Sequence, residues 1–233
     1  MTGAAAHQIR RGGIIAAGEG SRLRGHGLSG SKPMVRVRGR PLISHAVDRF
    51  RAAGIRALTI IINEASDDCR HWLEHNTGDL DLDLIMRTTP SSYASFALVA
   101  GRLAGAPAVV TTVDTIMPSA DFRGFVAASA RFPDDAVVLG LTDLVDDEAP
   151  LWAALDPGDG RIRRLGGDGG LHVTAGLYVL PARLPTAPAA GFARLRDYLD
   201  WLVSSGAPVH GVVLPRVFDI DRARDIAAAE RAR

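Results

Sequence analysis

The chain is predicted to fold as a single doubly wound, mostly parallel α/β sheet of Rossmann type. Three observations lead there. Short runs of apolar, β-branched residues alternate with stretches whose apolar residues recur at helical spacing, the pattern of successive βαβ units. The runs are apolar on both faces, Leu58 to Ile62 being the clearest, as strands buried between two helical layers must be. A glycine-rich turn at Gly18 and Gly20 directly follows the first run, at the carboxyl end of a strand, where open α/β sheets bind ligands.

Taken in order, Ile14 to Ala17 form a short buried strand, and Met34 to Val37 read as a second short strand. Pro41 suits the first turn of a helix. Leu42, Ala46, Val47 and Phe50 then share one helical face through Ala53, and Gly54 ends the helix. Leu58–Ile62 is a strand, Asp67–His75 a helix, Leu82–Ile85 a strand, Ser95–Leu103 a helix and Ala108–Val113 a strand that runs into Asp114. The second half gives a helix over Asp121–Arg131 and a strand over Ala136–Leu141. A turn at Asp156–Gly160 leads into a hairpin through Arg161–Leu165, the small β appendage of the fold. A strand over Val173–Leu180, an amphipathic helix over Leu195–Ser205, a strand over Pro208–Val213 and a final helix over Asp221–Arg233 complete it. No repeat and no long linker divides the chain, so residues 9–233 are expected to be one domain behind a frayed tail of residues 1–8.

The 233 residues, 47% of them hydrophobic, are enough for a substantial core. A net charge of +1 gives no general reason to expect a nucleic-acid partner. One cysteine, Cys69, excludes an internal disulfide and suits a reducing compartment. No apolar run is long enough to span a membrane, and the first residues lack the charged lead of a signal peptide, so a cytoplasmic location is expected.

The chemistry is expected in the stretch from Gly12 to His45. Gly18 and Gly20 let the backbone turn tightly and approach a ligand, and amide N–H groups at such a turn cradle an anion. Residues 1–40 carry eight basic side chains against Glu19 alone, which would gather an anionic substrate, although the outer arginines also fit a solvated face. The 27 basic residues comprise 26 Arg and one Lys, and that Lys, Lys32, falls inside this element. An ammonium is a compact point charge where a guanidinium is a broad fork, so a narrow phosphate site can demand Lys. Two familiar phosphate motifs fail on spacing. The third glycine of Gly-x-Gly-x-x-Gly is absent, and Pro33 follows Lys32 where a P-loop needs Ser or Thr. His71, Glu74 and His75 match the spacing of an inverted zinc-protease motif, but they lie on a crossover helix away from the expected site.

Ala16-Ala17-Gly18-Glu19-Gly20-Ser21-Arg22-Leu23, followed by Lys32-Pro33-Met34 and Gly39-Arg40-Pro41-Leu42-Ile43, resembles the signature of the sugar-phosphate nucleotidyltransferases. The resemblance implies a GT-A-like nucleotidyltransferase fold and Mg²⁺-dependent transfer of a nucleotidyl group from an NTP to a sugar 1-phosphate. It implies that Arg22 and Lys32 act in catalysis and that Ala16, Ala17, Gly18, Gly20, Ser21 and Ser92 contact the nucleotide. Asp114, and Asp219 of Phe218-Asp219-Ile220-Asp221, are implied as the metal carboxylates. A turn or helix-cap role competes for Asp114, and Asp221 is read as the cap of the last helix. Val173 to Leu180 resembles the family strand that lines the sugar, placing Thr174 and Gly176 at the acceptor; an ordinary core strand is the competing reading.

The departures concern the acceptor. Relatives carry a second Lys for the sugar phosphate; here Arg163-Arg164 stands in that region, and Arg164 is assigned to the acceptor. Pro90 to Ser95 replaces the family's nucleobase motif. A cytidylyltransferase acting on a non-sugar phosphate, such as phosphocholine or a polyol phosphate, is therefore a second reading, and a non-catalytic nucleotide sensor a third. The expected partners are an NTP and a small phosphorylated acceptor, with no nucleic acid and no membrane.

Overall fold

The computed structural model describes residues 9–18, 30–144, 150–167 and 170–231. Strand β1 (Arg11–Ala16) lies at the centre of the sheet, between β4 (Ala57–Ile62) and β6 (Ala108–Thr112), and is parallel to both. Its two glycines allow this position. A Cβ on Gly12 would fall 2.2 Å from the Phe50 ring, and one on Gly13 would fall 2.5 Å from Val99 Cγ1. Phe50 belongs to helix α1 (Leu42–Ala52), and Val99 to α3 (Ser92–Leu103) on the opposite face. The glycine pair thus seats a helix closely on each side of the strand.

β5 (Asp81–Met86) extends the parallel set beyond β4, reached through α2 (Asp67–Asn76). On the other side the sheet changes direction. β11 (His172–Leu180) is antiparallel to β6 and to β8 (Val137–Thr142), and β12 (Val209–Val213) is parallel to β8. The hairpin β9 (Trp152–Leu155) and β10 (Ile162–Leu165) continues the sheet past the start of β11. The expected β appendage is therefore an extension of the main sheet. Its turn is built as expected, with Asp156 accepting from the N–H groups of Gly158 and Gly160.

Helices cover both faces. α1, α2, α4 (Ser119–Ser129) and α6 (Ala223–Arg231) share one core with Ile14, Ile60, Val109 and Val138. α3 and α5 (Leu195–Ser204) share the other with Ile61, Val110, Leu139 and Tyr178. Successive strand residues face opposite cores, as the pleat requires. The doubly wound, mostly parallel sheet is confirmed.

Local corrections are informative. The strand expected over Met34–Val37 is a 3-10 turn at Lys32–Met34 followed by a two-residue strand, β2 (Arg36–Val37), paired with β3 (Arg40–Pro41). Arg38 and Gly39 make the bend between them with φ of 52° and 74°. The last helix begins at Ala223, so Asp221 lies before it. Two further two-residue strands, β7 (Thr115–Ile116) and β13 (Phe218–Asp219), pair antiparallel at the carboxyl end of the sheet. Among the described residues no helix is long and apolar enough to cross a membrane.

Candidate active site

Two loops separated by a hundred residues of sequence are tied together by β7 and β13. Asp219 pairs with Thr115, and the Ile220 N–H donates to the Asp114 carbonyl at 3.1 Å. This small ladder carries the Asp114 and Asp219 carboxylates to one place. One oxygen each from Asp114, Asp219 and Asp221 lies within 4.8 Å of the other two, the single such cluster among the described residues. Asp225, in the first turn of α6, accepts from the N–H groups of Asp221 and Arg222 at 2.9 and 2.6 Å. It thereby sets the turn that aims Asp221. Asp221 itself, expected as a helix cap, faces the cluster.

Lys32 enters from the other side. Its ammonium donates to Asp114 Oδ2 at 2.5 Å and to Asp221 Oδ1 at 2.6 Å. The backbone beneath it is anchored: Asp68 of α2 accepts from the Ser31 N–H and hydroxyl at 2.9 and 2.7 Å, and Val35 N–H closes the 3-10 turn on the Lys32 carbonyl. Burial opposes the Lys32 charge, but the carboxylates of Asp114, Asp221 and Asp219 outweigh it and raise its pKa. Burial likewise pushes the Asp114 carboxyl up. The Lys32 charge and the hydrogen bonds from Lys32 and Thr112 act more strongly, and it remains below the usual carboxylate range.

The cluster opens into a cavity of about 430 Å³, within the size range of small-ligand sites. Thr174, Gly176 and Tyr178 of β11 form one wall. Gly176 has φ +62°, and a Cβ there would lie 2.5 Å from the hydroxyls of both Thr112 and Thr115. Those hydroxyls bond each other at 2.8 Å, and Thr115 donates to the Ala175 carbonyl. Gly176 is therefore required first by the strand that leads into Asp114, beside any contact with a ligand. Leu144, Pro150, Leu151, Val173 and Val217 make an apolar wall, and Arg196 and Arg222 supply the cavity's cationic side chains.

Several expected residues stand elsewhere. Arg164 is exposed on β10 and is not part of the cavity lining. Ser92 accepts the Leu195 N–H at 3.0 Å, joining α3 to α5, and is likewise outside the lining. Ala16 and Ala17 are buried at the end of β1, and Gly18 is exposed beyond them. Gly20, Ser21 and Arg22 lie outside the described residues, as does the proposed tail of residues 1–8. The outer arginines hold secondary structure: Arg38 contacts Glu230 and Ala229, and Arg40 contacts Ser44 and Asp48. His71 and His75 bond helix carbonyls through Nδ1, while Glu74 pairs with Arg70, so the zinc-like spacing is a helix surface. Cys69 is buried, which pushes its thiol up to about 12.

Sequence reasoning missed Arg49. It sits in α1, 2% exposed, with no hydrogen-bond partner among the described residues for any guanidinium nitrogen. Burial pulls its pKa down to about 10, with the Asp114 charge opposing. Its place on the buried side of α1 was legible from helical spacing, but an Arg there reads as a misfit.

The three carboxylates fit a hard divalent cation, which takes oxygen ligands. Asp114 Oδ1 supports this, being buried with no hydrogen-bond partner among the described residues, as a cation ligand would be before the ion is bound.

Comparison with known proteins identifies the family and matches the fold. A family model described as the MobA-like NTP transferase domain matches residues 12–172. No curated protein matches the chain. The fold is similar to that of the inositol-1-phosphate CTP transferase from T. maritima, with a TM-score of 0.78 at 17% identity over 97% of this chain and 98% of that one. It is similar also to a putative glucose-1-phosphate thymidylyltransferase from Bacillus anthracis, with a TM-score of 0.79 at 18% identity over 96% of each chain. With the matched model spanning most of the sheet and both the Lys32 and Asp114 loops, the chain belongs to the MobA-like NTP transferase domain family.

Proposed function

We propose that this nucleotidyltransferase moves a nucleotidyl group from an NTP to a sugar 1-phosphate, releasing pyrophosphate and forming an NDP-sugar. The observation that carries the reading is the meeting of Lys32, Asp114 and Asp219 at the mouth of a cavity walled by Thr174 and Gly176. An oxygen of the acceptor's phosphate attacks the α-phosphorus in line, a new P–O bond forms, and the bond to the bridging oxygen of pyrophosphate breaks. The phosphate monoester is already anionic near neutral pH, so no general base is needed. The protein's task is positioning and charge neutralisation.

Asp114, Asp219 and Asp221 would hold a divalent cation, Mg²⁺ being the best fit to a site where carboxylate and phosphate oxygens serve together as ligands. Bound there, it would neutralise phosphate charge and polarise the α-phosphoryl group. Lys32 neutralises charge on the phosphate oxygens, and Arg22 acts on the departing pyrophosphate. The Gly18-Glu19-Gly20 sequence is assigned to the triphosphate. Arg196 and Arg222 face the cavity and take the acceptor's phosphate in place of Arg164.

A second reading keeps the transfer and changes the acceptor. The wall of Leu144, Pro150, Leu151, Val173 and Val217 offers an apolar surface that favours a non-sugar phosphate such as phosphocholine, with CTP as donor. Pyrophosphate release measured over four NTPs and a panel of acceptor phosphates separates the two. Turnover with sugar 1-phosphates supports the first, and turnover confined to phosphocholine or polyol phosphates the second. Silence with every pair, at saturating Mg²⁺, overturns both in favour of a nucleotide sensor.

A further inference from the structure

The ammonium of Lys32 stands where a cation would stand. It contacts Asp114 Oδ2 at 2.5 Å and Asp221 Oδ1 at 2.6 Å, two members of the carboxylate cluster. Magnesium holds carboxylate oxygens at about 2.1 Å. Two oxygens on different residues are no closer than roughly 3 Å. A magnesium ion 2.1 Å from both of these oxygens would lie within about 3.5 Å of Nζ, whereas one held only through the open Asp114 Oδ1 would leave Lys32 in place. A divalent ion and an ammonium at that separation, sharing the same two ligands, exclude each other by charge and by ligand geometry.

The rest of the element fits an exchange. The Lys32 backbone is fixed by the 3-10 turn and by Asp68, so the four-carbon stem is the part that can swing. An ammonium is compact enough to leave a carboxylate pair for a phosphate oxygen, which a planar guanidinium fork would do less readily. In a chain with 26 Arg, the single Lys occupies this position.

We propose that the Lys32 ammonium and a divalent cation occupy the Asp114–Asp221 pair alternately, the ammonium holding the site until phosphate draws it away. The proposal rests on the nucleotidyl-transfer reading of the same site. It gives the lysine two successive partners, carboxylates in the empty protein and phosphate oxygens in the loaded one. It also gives an order of events, in which the triphosphate opens the cation site by removing its resident counter-ion.

Because Lys32 is the sole lysine, protein grown on lysine labelled with ¹³C at Cε and ¹⁵N at Nζ carries one labelled side chain. Mg²⁺ binding to the full chain is followed by calorimetry, and the Lys32 signal by NMR over the same titration. The expected result is a signal that moves with the calorimetric midpoint, and that moves also when inorganic triphosphate is added without metal. Lys32→Met, which keeps the stem and drops the charge, is expected to bind Mg²⁺ at least ~10-fold more tightly than the unmodified chain. A Lys32 signal that stays in place while Mg²⁺ saturates the protein, or while triphosphate binds, overturns the alternation and leaves the transfer reading standing. Failure of both the unmodified chain and a folded Lys32→Met to bind Mg²⁺ overturns the cation site itself, and the alternation with it.

Discussion

Replacing Gly176 by alanine should destabilise the protein and loosen the cation site together. Two separable costs apply. A residue with a Cβ at φ +62° sits in the left-handed region, at about 1–2 kcal/mol. The new methyl group would also lie 2.5 Å from the Thr112 and Thr115 hydroxyls, and overpacking of this kind typically costs about 1–3 kcal/mol. The expected total is ~2–5 kcal/mol. Gly54 supplies the control, since its φ is +72° but nothing lies within 4 Å of its Cβ position. Gly54→Ala should therefore show the backbone cost alone, ~1–2 kcal/mol. Urea unfolding of both variants, read by circular dichroism, isolates the clash as the difference. Thr112 ends the strand that leads into Asp114, so Gly176→Ala should weaken Mg²⁺ binding, and Gly54→Ala should not. Equal destabilisation of the two variants, within ~0.5 kcal/mol, would refute the claim that Gly176 is required by the threonine pair.

Three further outcomes are expected. Arg49→Met removes a buried cation with no hydrogen-bond partner among the described residues and should stabilise the fold by ~1–3 kcal/mol at neutral pH, checked by the urea midpoint; a loss of stability would show that Asp114 depends on that charge. The depressed Asp114 pKa contributes stability that is present above 3.8 and lost as pH falls through the lower folded-state value; in Lys32→Met burial acts with less opposition, so stability should instead fall as pH rises through the carboxylate range, a reversal that a pH series of unfolding midpoints detects. Arg196→Ala should raise the KM of the phosphorylated acceptor ~10-fold or more with little change in the KM of the NTP, while Arg164→Ala should change neither, which steady-state kinetics will report.

Much of the sheet was legible because its strands are marked locally. Ala57–Ile62 is a β-branched run between a helix ended by Gly54 and a polar turn, and no helix competes for it. The hairpin at β2 and β3 was not legible, since its bend uses Arg38 at φ 52°, a residue with no turn signature. The direction of β11 was equally hidden: an apolar strand carries no mark of which way it runs. At the site, Asp114 and Asp219 were recoverable from their motifs, and their proximity is made by a two-residue ladder too short to announce itself. Asp221 looked like a helix cap because it precedes a helical stretch, yet Asp225 receives the backbone N–H groups there and leaves Asp221 for Lys32. Arg196 and Arg222 are ordinary helix-adjacent arginines in sequence and acquire meaning when α5 and the turn before α6 border one cavity. Ser92 was the converse, a polar residue near a supposed nucleobase loop that instead meets the start of α5.

The most direct test of the account is pyrophosphate release by Asp219→Asn beside the unmodified chain, with the best NTP and acceptor pair and saturating Mg²⁺. Asp219 is exposed and its carboxylate faces the cluster, so the variant should keep its urea midpoint while turnover falls ~10²-fold or more. Turnover within threefold of the unmodified chain would contradict the assignment of chemistry to the place where the two small strands meet.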